Sequence, residues 1–221
     1  MRPLGGEEAI FGRSGLIIVV SGPSGVGKGV VVERVMERLP GLRLSVSANT
    51  RPPRPGEREG VDYHFVSEEE FRRMIAAGEF FEWADVYGEL KGTPKAELER
   101  AQAEGRDLVA EVDHQGAMSF RKQAPEAILV FVAPPSWQEL ERRLRGRHTE
   151  SEQKMQRRLT AARAEIAGMD GYDFVVVNDD AEQAAAQVAA IITAARLRAD
   201  AARSESLQGQ LLAEAGNSQQ C

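Results

Sequence analysis

Residues 22–28 read Gly-Pro-Ser-Gly-Val-Gly-Lys, between an apolar β-rich run at 15–20 and a stretch with Val31, Val35, Met36 and Leu39 at helical spacing. A strand that ends in a glycine turn and feeds straight into a helix begins a βαβ unit. It commits the chain to an open parallel sheet covered by helices. The segment matches G-x-x-x-x-G-K. Its glycines let backbone N–H groups curl around phosphate oxygens, and the following helix turns its positive end toward them. Gly22, Pro23, Ser24, Gly25, Val26, Gly27, Lys28 and Gly29 are therefore the candidate phosphate cradle, with Lys28 as a mobile positive charge on the outer phosphates. The motif departs from its pattern at the end. Gly29 and Val30 stand where a Ser or Thr hydroxyl usually holds Mg2+.

The rest of the chain supports the same fold class. Pro40-Gly41 stops the first helix, and Ser67 with Glu70 suggests a capping box for a short helix to about residue 77. Residues 80–95 read as strands and turns, 95–104 as a helix, 108–112 and 127–133 as apolar strands. Residues 137–166 read as charged helix broken at Gly146, 174–177 as a last strand and 181–198 as an Ala-rich helix. Apolar strands alternating with helices predict an α/β fold with a buried parallel core. Residues 1–14 and 199–221 have little to bury and are expected to be flexible tails.

Composition narrows the function classes. Of 221 residues, 42% are hydrophobic, enough for one sizeable core, and the formal net charge is −6. Arginines are scattered in small clusters, which suits discrete phosphates better than a nucleic-acid polymer. The single cysteine, Cys221, can neither staple a fold nor form a thiolate metal site. The apolar runs are too short to span a bilayer and no signal peptide is evident, so the expected location is the cytoplasm.

Several residues suit the other end of a phosphate-transfer reaction. Arg51 and Arg54 lie in a proline-stiffened loop, Pro52-Pro53-Arg54-Pro55, that would keep two guanidinium groups near one spot, and Tyr63 adds a phenol. The same prolines also fit a polyproline ligand. Glu82, Glu111 and Asp113 are carboxylates in or beside apolar segments. A recessed carboxylate accepts both N1–H and N2–H2 of guanine and repels adenine N1, but spacing alone does not choose among the three. Asp113, at a strand end, suits a water-mediated metal equally well. Among Arg142, Arg143, Arg145, Arg147, Arg157, Arg158 and Arg163, most read as a solvated helix face. A few on a mobile helix pair would suit closure over a phosphoryl group. His64, His114 and His148 lack metal-ligand spacing and read as structural, and Trp83 and Trp137 as core or base-flanking.

In order along the chain, GPSGVGK (22–28), SVSANTRPPRPGEREGVDYHFVS (45–67), GEFFEWADVYG (78–88), GTPK (92–95), EVDHQGA (111–117) and VVND (176–179) resemble the guanylate kinase family. The similarity spans residues 15–198. It implies a P-loop NTPase fold with a parallel sheet core (15–46, 96–136 and 166–198), a mixed NMP-binding arm (47–95) and a helical lid (137–165). It implies ATP-dependent phosphorylation of GMP, and of dGMP, with Mg2+ and by direct in-line transfer. Ser47, Arg51, Arg54, Tyr63, Glu82, Lys91, Thr93, Glu111 and Asp113 would form the GMP pocket. Arg51, Arg54 and Tyr63 would hold its phosphate, and Ser47, Glu82 and Glu111 its base. Lys28, Arg51, Arg143, Arg147 and Arg158 would act on the transferred group, Asn178 would lie beside the adenine, and Asp113 would hold Mg2+ through water. The implied partners are ATP and GMP, without nucleic acid or membrane, in a monomer or homodimer. Two further departures from the family are Asn49 where Thr is usual and Lys91 where a phosphate-binding Tyr is usual. Two readings compete with it: a guanylate-kinase-like scaffold module that binds peptides, favoured only by the missing P-loop hydroxyl, and a related P-loop kinase acting on another phosphorylated small molecule.

Overall fold

The computed structural model describes residues 15–86, 88–146, 152–198, 208–209 and 211–212. Its centre is a five-stranded parallel sheet. In chain order its strands are β1 (Ile17–Ser21), β2 (Leu42–Leu44), β7 (Asp107–Glu111), β8 (Ile128–Ala133) and β9 (Phe174–Val177). In space they run β2-β7-β1-β8-β9. The chain leaves β1 toward one side and later returns to its other side, so β1 flanks the switch point where open α/β sheets hold ligands. Buried Ile, Val and Leu fill β1, β7 and β8, as a sheet covered on both faces requires. The expectation of burial fails at β9. As the edge strand it leaves Phe174, Val175 and Val177 about half exposed and buries only Val176.

Helices α1 (Lys28–Arg38) and α7 (Ala181–Arg196) pack together on one face, tied by Arg34 and Arg38 to Glu182. The C-terminal end of α7 is fastened to the sheet. Arg196 Nε donates to Asp107 Oδ2 at 2.8 Å, while Asp107 Oδ1 accepts the Leu16 N–H at 2.9 Å. On the other face lies α4 (His114–Gln123), whose Phe120 stacks on Phe81 with ring centres 4.6 Å apart.

A second, four-stranded sheet holds β3 (Ala48–Asn49), β4 (His64–Phe65), β5 (Phe80–Val86) and β6 (Glu89–Pro94), ordered β4-β3-β6-β5 with parallel and antiparallel pairs. It has its own small core. Phe71 of α2 (Glu68–Ala76) stacks on Phe80 at 4.4 Å, with Ala48 and Leu90 beside them. Phe80 and Phe81 point to opposite sides of β5, so one belongs to this core and the other to the main core. Ser67 caps α2 by accepting the Glu70 N–H, but the reciprocal half of the expected capping box is replaced, because Glu70 pairs with Arg73. The chain returns through α3 (Ala96–Ala103) to β7. Between β8 and β9 lie α5 (Trp137–Arg145) and α6 (Glu152–Ala167). The expected break at Gly146 is present, as Gly146 is the C-cap of α5. Trp137 is half-buried under the Arg163 guanidinium, whereas Trp83 stands 49% exposed on β5 rather than in a core. His148, the expected tail at 1–14 and most of the expected tail at 199–221 lie outside the described residues; within the latter, 208–209 and 211–212 are described and are helical and exposed. No described helix is long and apolar enough to cross a membrane.

Candidate active site

The turn after β1 is wrapped so tightly that a side chain at Gly22 or Gly27 would run into neighbouring atoms. At Gly22 (φ 143°) a Cβ would stand 2.2 Å from the Val132 carbonyl oxygen, and at Gly27 (φ 96°) 2.7 Å from Asn178 Nδ2. Gly27 is the N-cap of α1, which brings the positive end of the helix to the loop. Lys28 folds back over it, donating to the Gly22 carbonyl at 2.6 Å. Asn178, which follows β9, is buried beneath the loop and donates its amide to the Val26 carbonyl at 2.8 Å. Arg143 of α5 reaches the same place, donating to the carbonyls of Val26 (3.2 Å) and Asn178 (3.0 Å) while Glu139 holds its Nε at 2.7 Å. Lys28, Arg143 and Asn178, distant in sequence, thus converge on one loop. Arg142 and Arg143 together hold the Glu139 carboxyl down to about 2.

Position 29 opens onto a carboxylate. A Cβ at Gly29 would stand 3.6 Å from Glu111 Oε2, an ordinary contact distance, and Glu111 itself is exposed at the end of β7. Asp113 has a different employment. It is the N-cap of α4, accepting the Gly116 N–H at 2.8 Å.

On the arm sheet, Thr93 donates its hydroxyl to Glu82 Oε1 at 2.6 Å across the β5–β6 pair. Burial pushes the Glu82 carboxyl up, the Thr93 bond opposes this, and the Asp113 charge adds to it. Nearby, Tyr63 forms a ring platform, with the Arg51 guanidinium 5.0 Å and Lys91 Nζ 5.3 Å from its centre. Arg51 is also clamped by both oxygens of Glu57 at 2.6 Å. The Arg51 bond holds the Glu57 carboxyl at about 2 and raises the guanidinium in turn. Arg54 is exposed in the same turn, its backbone N–H bonded to Glu57. Ser47 lies at the entry to β3, where its carbonyl accepts the His64 N–H.

Charge links the arm to the loop. Glu82 feels the charges of Asp113 and Lys91, and Glu165 of α6 feels those of Lys28 and Asp113 and accepts from the Ser24 N–H. Burial pushes the Glu165 carboxyl up, and its Oε2 is buried without a hydrogen-bond partner among the described residues. Beside it, the Tyr172 hydroxyl donates to Ser21 Oγ at 3.0 Å and lies 3.2 Å from His114 Nδ1, and burial pushes it up to about 12.

Sequence reasoning missed Glu57, Glu139, Glu165 and Tyr172. The first two were within reach, since Glu57 shares the loop of Arg51 and Glu139 is one helical turn from Arg143. Nothing local marked Glu165 or Tyr172. Arg158 lies half-buried on α6. Arg147 lies outside the described residues.

Comparison with known proteins agrees with this geometry. The family model for guanylate kinase matches residues 14–195. A guanylate kinase of Symbiobacterium thermophilum is 50% identical over 184 residues, covering 83% of this chain and 87% of the relative. One from Nocardia farcinica is 50% identical over 188 residues, 84% of this chain and 97% of the relative. The crystal structure of guanylate kinase from Anaplasma phagocytophilum superposes with a TM-score of 0.66 at 35% identity, covering 86% of this chain and 89% of that one. With the glycine loop, the arm sheet and the parallel core all accounted for, the chain belongs to the guanylate kinase family.

Proposed function

We propose that this chain transfers the terminal phosphoryl group of ATP to GMP, and to dGMP, giving the diphosphate. The observation that carries the acceptor assignment is the half-buried Glu82 carboxylate, braced by Thr93 on the sheet that also carries Lys91 of the Arg51–Tyr63–Lys91 cluster. A carboxylate takes two donors side by side, which guanine offers and adenine does not, while guanidinium, ammonium and phenol groups suit a phosphate. In the position of a family tyrosine, Lys91 supplies charge rather than a fixed hydroxyl.

The glycine loop and α1 would receive the ATP phosphates, with Lys28 already drawn to their place by the Gly22 carbonyl. Arg143 would brace the loop and meet charge on the transferred group, and Arg147 and Arg158 of the lid segment would join it. Asn178 would serve chiefly by holding the loop at Val26, at the edge of the adenine site. With acceptor and donor held in line, the reaction needs no covalent intermediate, and positioning with charge stabilisation carries the rate.

A magnesium ion fits the donor set near α1. No hydroxyl follows Lys28, where Gly29 and Val30 stand, but Glu111 faces Gly29 and is open to solvent, as a water-mediated ligand must be. Glu111 is therefore the better holder of the ion, and Asp113, already capping α4, has the lesser share. The ion would neutralise phosphate charge when bound. The arm (47–95) and lid (137–165) are read as the moving parts that exclude water.

The test is a coupled assay with ATP and Mg2+ that compares GMP, dGMP, AMP and UMP as acceptors. GMP and dGMP should form diphosphate rapidly and the others hardly at all. Equal use of AMP, or no ADP with GMP, would overturn the assignment.

A further inference from the structure

Only a few residues carry the chain from the core sheet to the arm sheet. The Ser45 N–H still bonds to the Val109 carbonyl in the core sheet, while the Ser47 carbonyl already accepts the His64 N–H in the arm sheet. Val46 is the single residue between them, and its N–H belongs to neither ladder. It donates to Glu97 Oε2 at 2.9 Å. Glu97 stands where the chain comes back. The arm's last backbone bond on that side is Lys95 N–H to the Glu79 carbonyl, and Glu97 follows in the first turn of α3. One carboxylate thus joins the outgoing and returning segments.

Glu97 is a fully buried carboxylate that the phosphoryl-transfer chemistry does not use. Its Oε1 lies 2.7 Å from Arg100 Nη1 and 3.1 Å from His64 Nε2, and the Arg43 Nε is 3.8 Å from its Oε2. His64 sits between charges. Its Nδ1 is 3.2 Å from Glu59 Oε1, and Arg100 Nη1 is 3.0 Å from its Nε2. Glu59 also accepts the Phe65 N–H at 2.8 Å, so β4 is gripped at both of its residues. A buried carboxylate is tolerated only when its donors are in place, and so their positions are set by it.

The residue next to His64 is Tyr63, the ring over which Arg51 and Lys91 gather. We propose that Glu97 is a positioning residue for the acceptor. By fixing Val46 and His64 it sets where Tyr63, and with it the Arg51–Lys91 phosphate cluster, stands relative to the core. The proposal deepens the GMP reading above and rests on it.

Three variants test it by steady-state kinetics with GMP and ATP varied separately, beside thermal melts. Glu97→Gln keeps the volume but turns a donor toward donors. His64→Ala removes the link to β4 and leaves Glu97 in place. His64→Gln restores a donor near the Nε2 position. Glu97→Gln and His64→Ala should raise the KM for GMP about tenfold, the scale of one charge-assisted bond. The KM for ATP should stay within about twofold, and His64→Gln should recover most of the loss. A folded Glu97→Gln or His64→Ala with an unchanged KM for GMP overturns the proposal. So does a parallel loss in both substrates and in Tm, which marks mere support of the fold. If Glu97→Gln does not fold, His64→Ala decides by the same criteria. A wild-type chain that does not phosphorylate GMP overturns the functional reading and this proposal with it, whereas an active wild type with indifferent variants overturns this proposal alone.

Discussion

If Glu82 reads the guanine base as proposed, replacing it by Gln should separate recognition of the base from everything else in the molecule. The carboxylate accepts from Thr93 at 2.6 Å through Oε1 and retains acceptor capacity for a ligand. Gln keeps one carbonyl acceptor but presents an NH2 where guanine offers a donor. One charge-assisted bond is lost and a donor–donor conflict arises, together about 2–4 kcal/mol, or roughly 30- to 700-fold in kcat/KM for GMP. The ATP parameters should hardly move. Stability should move the other way. Burial raises the Glu82 carboxyl in the folded chain, so its contribution to stability is fully present only below the unfolded carboxyl value and is lost as pH rises through the folded one. At neutral pH the ionised group therefore lowers stability, and Glu82→Gln should melt at the same temperature or higher. For the same reason, wild-type kcat/KM for GMP should fall on acidification sooner than an ordinary glutamate would dictate, and the variant should lose that limb. Steady-state kinetics from pH 5 to about 8, with melts at pH 7, read all of this. Equal losses for GMP and ATP, or a variant that melts well below wild type, would refute the reasoning.

Gly29→Ser places its Cβ at an ordinary 3.6 Å from Glu111 Oε2 and adds the missing hydroxyl. It should lower the Mg2+ concentration for half-maximal rate and add about 0.5 kcal/mol to the helix in a thermal melt, and an unchanged Mg2+ titration would show that the hydroxyl is not missed. Arg196→Met strips the nearly buried Asp107 of its guanidinium. A loss of about 3 kcal/mol, or roughly 6–12 °C in Tm, is expected with kcat/KM at 25 °C intact. Glu57 is held at about 2, chiefly by its bond to Arg51, so its stabilising share is present above the unfolded carboxyl value and is lost as pH falls through about 2. In Arg51→Met, its carboxyl resonance should titrate in the ordinary glutamate range by NMR, and a titration still near 2 would contradict the clamp.

The glycine loop was legible because its geometry is local. Gly22 and Gly27 are dictated by backbone that no other residue can follow. The same holds for the cap at Ser67, which accepts an N–H three residues on. β9 misled for a matching reason. Its four apolar residues look like a buried strand, but whether such a run is central or lies on an edge depends on strand order, which a local pattern does not carry. The carboxylates show the same limit. Glu82, Glu111 and Asp113 were equal candidates by spacing, and tertiary contacts separated them. Thr93 holds Glu82, Gly29 faces Glu111, and Gly116 engages Asp113 as a cap.

The sequence by itself determined the βαβ start, the glycine loop, the arginine-rich proline loop and, through resemblance, the family. These rest on residues close together in the chain, where short-range sterics and hydrogen bonding decide. Only the tertiary structure decided that Arg143 and Asn178 meet under the loop, that Glu165 feels the Lys28 charge, and that Glu97 ties Val46 to His64. Those groups lie tens of residues or more apart, and a buried charge finds its partner only after the sheets and helices have packed. The loop is a local signature, while the placing of the arm beside the core rests on contacts such as Val46 to Glu97 that only the packed structure makes.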